Sequence, residues 1–177
     1  MSIVELQALV PPPPSPQETG VDHDWSAVET QLHTALPDDY KALIQTYGTG
    51  GFNEFIYVLN PFAANRYRNL FALKDDILSA YRTLQQNFPD EYPEPAYPEP
   101  GGLLPWARCD IGDEFFWRTA GAPNTWTVVA IMDDTNQYHY ELSATEFLAR
   151  LLSNRLEPTC YPADFFEEDE PYFVTRP

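Results

Sequence analysis

Cysteine is scarce in this chain, and the chemistries that need paired cysteines are excluded with it. Cys109 and Cys160 are the only two in 177 residues, too few for the disulfide framework of a small secreted scaffold. Histidine is as thin: His23, His33 and His139 stand far apart, with no second histidine or cysteine at metal-ligand spacing. Basic residues are also few, 10 against 27 acidic ones, for a formal net charge of -17. Such a field repels nucleic acid and anionic membrane, and it speeds encounter with a basic protein surface. No apolar run reaches the roughly 18 residues that a bilayer span requires, and the N-terminus lacks the basic and long apolar regions of a signal peptide. The expectation is a soluble cytoplasmic protein with no membrane and no direct nucleic-acid partner.

Aromatic residues are abundant. Eleven Tyr, 11 Phe and 4 Trp, within an apolar share of 44%, are too many for a disordered chain, and the length suffices for one sizeable core. Prolines divide the chain. Residues 3–10 have the makings of a short apolar helix, but Pro11 to Pro14 and Pro16 end it in an extended polyproline conformation, so 1–22 reads as an arm and spacer. The run Tyr92-Pro93-Glu94-Pro95-Ala96-Tyr97-Pro98-Glu99-Pro100 repeats Tyr-Pro-Glu-Pro and cannot pair as a central strand. It marks 89–102 as an acidic, Pro-rich insertion. Pro158, Pro162 and Pro171 likewise interrupt 158–177, which reads as an acidic aromatic tail. One domain over 23–157 remains.

Within that domain the helix signals come first. Asp24 can cap a helix in which Trp25, Val28 and Leu32 recur at helical spacing. Leu36-Pro37-Asp38-Asp39 is a helix entry, because Pro suits a position that needs no N–H and the carboxylates meet the positive end of the dipole. Tyr40, Leu43, Ile44 and Tyr47 then share one face. Gly48, Gly50 and Gly51 should stop the helix ahead of a strand at 55–59. A long helix over 67–88 carries the stripes Leu70, Ile77, Leu84 and Leu73, Tyr81, Phe88. Strand-like segments at 103–109, 114–119, 126–131 and 138–142 follow, joined by turns too short for parallel crossovers. Ser143 with Glu146 forms a capping box, and Leu142 with Phe147 a hydrophobic staple, at the start of a closing helix. The fold class is α+β, a mostly antiparallel sheet of about five or six strands with helices packed on one face.

One stretch carries a family likeness. Leu36, Pro37, Asp38, Asp39 and Tyr40, then Leu43, Ile44 and Tyr47, then Gly48 and Gly50, form a Leu-Pro-x-Asp-Tyr entry, an apolar helix and a Gly-rich break. This pattern resembles the SUKH superfamily, which spans fungal cell-wall-synthesis regulators and bacterial toxin-immunity proteins. The likeness extends more loosely from Asp24 to Leu156. It implies a SUKH-like fold and a protein-binding role without catalysis: an immunity protein that neutralises a cognate protein toxin, or an intracellular regulator or scaffold of the fungal type.

The residues themselves offer no catalytic or cofactor constellation. Cys109 with His139 makes a nominal thiol and base, but a small core cysteine is the commoner role of such a residue. Gly48, Gly50 and Gly51 follow a helix instead of opening one, the wrong order for a phosphate loop. The Asp-rich turns suit partner binding better than metal or acid-base chemistry, since turns favour Asp and the spacing matches no cation loop. Asp113, Glu114, Asp133 and Asp134 therefore form the candidate acidic rim. Trp117 and Trp126, beside Trp106 on adjoining strands, line either the core or an open aromatic face within that rim. Tyr92 and Tyr97 are candidate contacts from the Tyr-Pro-Glu-Pro insertion. No catalytic residue, metal or cofactor is expected, and the expected partner is a basic protein such as a toxin nuclease.

Overall fold

The computed structural model describes residues 3–133, 136–162, 165–166 and 170–177. Among these lie helices α1 (Ile3–Leu9), α2 (Trp25–Leu32), α3 (Asp38–Tyr47), α4 (Leu70–Asn87) and α5 (Ala144–Leu152). The strands are β1 (Gly50–Phe52), β2 (Ile56–Val58), β3 (Leu103–Cys109), β4 (Glu114–Arg118), β5 (Thr127–Ile131), β6 (Gln137–Tyr140) and β7 (Phe173–Thr175). They form one sheet in the order β6-β5-β4-β3-β2-β1-β7, with antiparallel pairing throughout. The fold is α+β, as the sequence indicates. The sheet has seven strands rather than five or six, because part of the glycine stretch after α3 pairs as β1 and the chain end adds β7 beside it.

Local chemistry accounts for the element starts. Asp24 caps α2 by accepting a hydrogen bond from the Ser26 amide. Ser143 and Glu146 form the reciprocal capping box of α5. In α3, Asp39 Oδ2 accepts from the amide and hydroxyl of Thr145, at 3.0 and 3.1 Å. Helix α3 is thereby tied to the first turn of α5, where an anion also favours the dipole. Gly48 ends α3 at φ 68°, and a Cβ there would lie 1.9 Å from the Gln17 carbonyl oxygen. Only glycine permits that approach.

Successive residues of a strand face opposite sides of the sheet, and β4 is apolar on both. Phe115 and Trp117 face α5 and α3: Phe115 lies 5.3 Å from Phe147, and Trp117 meets Tyr40 edge-on at 4.9 Å. Phe116 faces the other way, 5.8 Å from Tyr81 of α4. Sequence reading placed the helices on one face; α3 and α5 take it, with α1 packed on both, and α4 adds cover on the opposite side. Buried side chains on both sides of a central strand require this second layer.

Three segments expected at the periphery contribute to the core. Leu6 and Val10, from the stretch read as an arm, are buried. The insertion 89–102 lies along α4, where the Tyr81 hydroxyl and Gln85 Nε2 both donate to the Glu94 carbonyl. It brings Tyr92, Ala96 and Tyr97 inside. From the tail, Tyr161 and Phe166 are buried and β7 extends the sheet. Prolines should keep regular structure out of the last two segments. That expectation fails in the tail, where Phe173–Thr175 pairs with β1 beyond Pro171. In the insertion, irregular backbone still delivers aromatic side chains inward, favoured by the area they bury.

Candidate functional site

The β3–β4 hairpin turns through Asp110, Ile111, Gly112 and Asp113, with Gly112 at φ 103°. The Cys109 amide donates to the Asp113 carbonyl at 2.9 Å and closes the turn. The Asp113 side chain folds under the hairpin and is only 2% exposed. Its Oδ1 accepts from the Asp133 amide at 2.9 Å, and its Oδ2 from the Tyr161 hydroxyl at 2.5 Å and from Cys109 Sγ at 3.2 Å. One carboxylate thus fastens three strands of chain: its own hairpin, the turn after β5, and the C-terminal segment. Burial, and then the Asp113 bond, push the Tyr161 phenol far above its ordinary range, so it is a permanent donor. Burial raises the thiols of Cys109 and Cys160 to about 11, which keeps both protonated at neutral pH and unsuited to nucleophilic work.

Above this knot lies a pocket of about 310 Å³. Met132, Cys160, Tyr161 and Pro162 line it, Ile111 and Phe165 border it, and Asp113 and Asp133 supply polar groups. Ile111 at the hairpin tip is 55% exposed and Phe165 is 42% exposed. Phe165 stacks on Tyr161 at 4.8 Å and lies 5.0 Å from Phe55. Two large apolar side chains are therefore held open to water beside a concave, mostly apolar surface. Exposed Asp110 and Asp133 flank it.

The expected site residues separate. Asp113 and Asp133 meet at this pocket, Asp113 as its buried support and Asp133 on its rim. Asp134 lies outside the described residues. Glu114 turns to the opposite sheet face, in register with Arg108 across the strands; burial raises its carboxyl to about 7, with Arg108 opposing the shift. Trp117 is buried, stacked on Trp106 at 5.9 Å. Trp126 is buried 5.8 Å from Trp117. Tyr92 packs 6.0 Å from Tyr81, and Tyr97 donates its hydroxyl to the Leu32 carbonyl. The four aromatics expected as contacts thus serve the core, because the face they line is covered. Tyr97 and Trp126 keep edges on a second groove of about 280 Å³ with His33 and Glu99.

Sequence reading missed Ile111, Phe165, Tyr161 and Cys160. Ile111 carried a usable signal: a large apolar residue between Asp110 and Gly112, at a turn position where the backbone has no need of one. Cys109 and His139 do not meet, since β4 and β5 lie between their strands and His139 Nε2 instead sits 3.5 Å from Glu94. Among the described residues no group of three or more His, Cys, Asp and Glu is arranged to hold a metal ion. Among them, too, no helix is long and apolar enough to cross a membrane.

Comparison with known proteins adds one match. The profile of the family SUKH_6, described as SMI1-KNR4 cell-wall, matches residues 22–148. No curated protein and no solved structure matches the chain.

Proposed function

Because this chain belongs to the SUKH superfamily, we propose that it is a non-catalytic protein-binding module whose partner is a cognate protein toxin. In this role it is an immunity protein. The observation that carries the reading is the pair Ile111 and Phe165, exposed on either side of an apolar pocket with Asp110 and Asp133 beside them. Interfaces draw most of their affinity from a few apolar anchors seated in pockets, within a polar rim that sets orientation and on-rate. An apolar side chain of the toxin enters the pocket, and basic side chains next to it meet Asp110 and Asp133. The net charge of -17 gives the long-range attraction that brings a basic toxin, such as a nuclease, to this surface quickly.

The test is growth of cells expressing the toxin domain encoded beside this gene, with and without this protein, followed by isolation of the complex. Rescue with a stable one-to-one complex, lost in Ile111→Asp while the variant stays folded, is the expected result. A functional toxin that still kills cells containing abundant folded protein overturns that pairing. Rescue that survives both Ile111→Asp and Phe165→Ser overturns the surface assignment.

A further inference from the structure

The hairpin that presents Ile111 has a second side. Successive strand residues point to opposite faces of the sheet, so Cys109 turns toward Asp113 and the pocket while Arg108 turns to the α4 side. There Arg108 stands in register with Tyr57 of β2 and with Glu114 of β4.

Two more arginines stand on the turn before α4. The Asn65 side chain accepts from the Tyr67 amide at 3.0 Å, and the Arg68 amide donates to the Asn65 carbonyl at 3.0 Å. The Asn60 amide donates to the Arg68 carbonyl at 2.8 Å, which fixes the turn beside the end of β2. Arg66 and Tyr67 are exposed on it. Arg68 reaches back over β2: its Cζ lies 3.4 Å from the centroid of the Tyr57 ring, and its Nη2 lies 4.0 Å from Asp110 Oδ1. The Tyr57 ring occupies space that a side chain on Gly51 would fill, since a Cβ there would lie 2.5 Å from Tyr57 Cε1.

Arg108 has no such engagement. A guanidinium carries several N–H donors in one plane, yet among the described residues the half-buried Arg108 side chain makes no hydrogen bond and no ion pair. Glu114, directly across the strands, does not serve: burial lifts its carboxyl to about 7 against the pull of Arg108. A guanidinium seated on that carboxyl would hold it ionised. Three of the chain's 10 basic residues therefore stand beside a hairpin whose pocket side is acidic, and one of them is unspent.

We propose that Arg108, flanked by Arg68 and Arg66, binds a carboxylate of the partner protein, an Asp or Glu side chain that meets this side of the hairpin while the pocket takes the apolar anchor. The proposal rests on the toxin-binding reading above and adds the charge pattern of the toxin's surface. A basic toxin then carries an acidic residue at the edge of its contact patch. Arginine suits the task, because its planar fork holds a carboxylate through paired, parallel N–H bonds. Opposite charges on the two sides of one hairpin admit a single orientation, so the contact sets the docking register.

The experiment measures binding kinetics of an inactivated form of the toxin domain encoded beside this gene. Its partners are wild type, Arg108→Gln, Arg108→Lys, Arg118→Gln and Ile111→Asp. Arg118 is exposed at the other end of β4, so its substitution changes net charge equally without touching the hairpin. Each Arg→Gln change makes the chain more negative, which by long-range attraction alone speeds capture of a basic domain. Arg108→Gln should show the opposite sign: affinity about tenfold weaker, through faster dissociation. Arg118→Gln should bind as tightly as wild type or slightly tighter. Arg108→Lys keeps the charge without the fork and should recover only part of the loss. If Arg108→Gln and Arg108→Lys both bind as tightly as Arg118→Gln, the carboxylate contact is overturned while the pocket assignment, tested by Ile111→Asp, stands apart. If wild type does not bind the domain, the toxin-binding reading fails and this contact fails with it.

Discussion

Tyr161 donates its hydroxyl to Asp113 Oδ2 at 2.5 Å, joining residues 48 apart in the chain at the one Asp or Glu buried among the described residues. A buried carboxylate is stable only while donors surround it, and this one has three. Removing the strongest leaves the charge partly unsatisfied. Tyr161→Phe is expected to lower folding stability by about 1.5–3 kcal/mol, the usual range for a hydrogen bond to a charged group. Cys109→Ala, which deletes a weak S–H donor, should have the smaller effect on this carboxylate. Urea unfolding of both variants measures the order, and an equal or reversed order would refute the role given to Tyr161.

Glu114 provides a pH prediction. Its carboxyl is raised by burial from 4.5 to about 7, with Arg108 opposing. Between those values the folded protein holds a proton that the unfolded chain releases. Stability from this group is therefore greatest below about pH 4.5, falls as pH rises, and levels off above pH 7. The loss is at most on the order of 3 kcal/mol. The net charge of -17 adds a self-repulsion with the same sign, so wild type alone does not isolate the group. Glu114→Gln does: its stability should exceed that of wild type at pH 8 and should decline less between pH 5 and 8. Parallel curves for the two proteins would count against a perturbed Glu114.

Most of the helix and sheet framework was legible because its signals are local. Tyr40, Leu43, Ile44 and Tyr47 share a helix face by spacing alone, and all four are buried. Ser143 and Glu146 spell a capping box, and the structure contains it. The 103–109 strand has its expected limits. What failed to read through depends on contacts distant in sequence. Asp113 resembles any turn Asp until Tyr161 and the Asp133 amide are seen to reach it. Pro-rich backbone announces only that it cannot form ladders, and says nothing of Tyr92 beneath α4 or Tyr161 beneath the hairpin. A pleated strand shows where Phe115 and Phe116 diverge, but not that each side has its own cover.

The division between buried and exposed aromatics predicts a division in phenotype. Trp117→Ala and Tyr92→Ala each delete a fully buried ring and should cost about 3–5 kcal/mol. Ile111→Ser, at an exposed tip, should change stability by no more than about 0.5 kcal/mol. Thermal unfolding of the three variants tests this directly. A Trp117→Ala protein as stable as wild type would contradict the packing described for the sheet.

Helix α1 offers the last test, because its formation has only one adequate source. Seven residues are too few for a helix to persist alone in water. The Glu5–Arg155 pair, at 3.0 Å, joins α1 to the segment just after α5, but the Arg155 side chain is 60% exposed. A pair so open to solvent contributes at most about 1 kcal/mol, less in salt. Burial of Leu6 against α5 and α3 must therefore supply most of the docking. Leu6→Ala is expected to cost about 2–4 kcal/mol and to speed amide exchange through α1 and at Val10, whose amide bonds the Leu6 carbonyl. Arg155→Ala should leave both nearly unchanged. Hydrogen exchange read residue by residue distinguishes the two sources. If Arg155→Ala frees α1 while Leu6→Ala does not, the helix is held by its ion pair and the packing account of this end of the molecule fails.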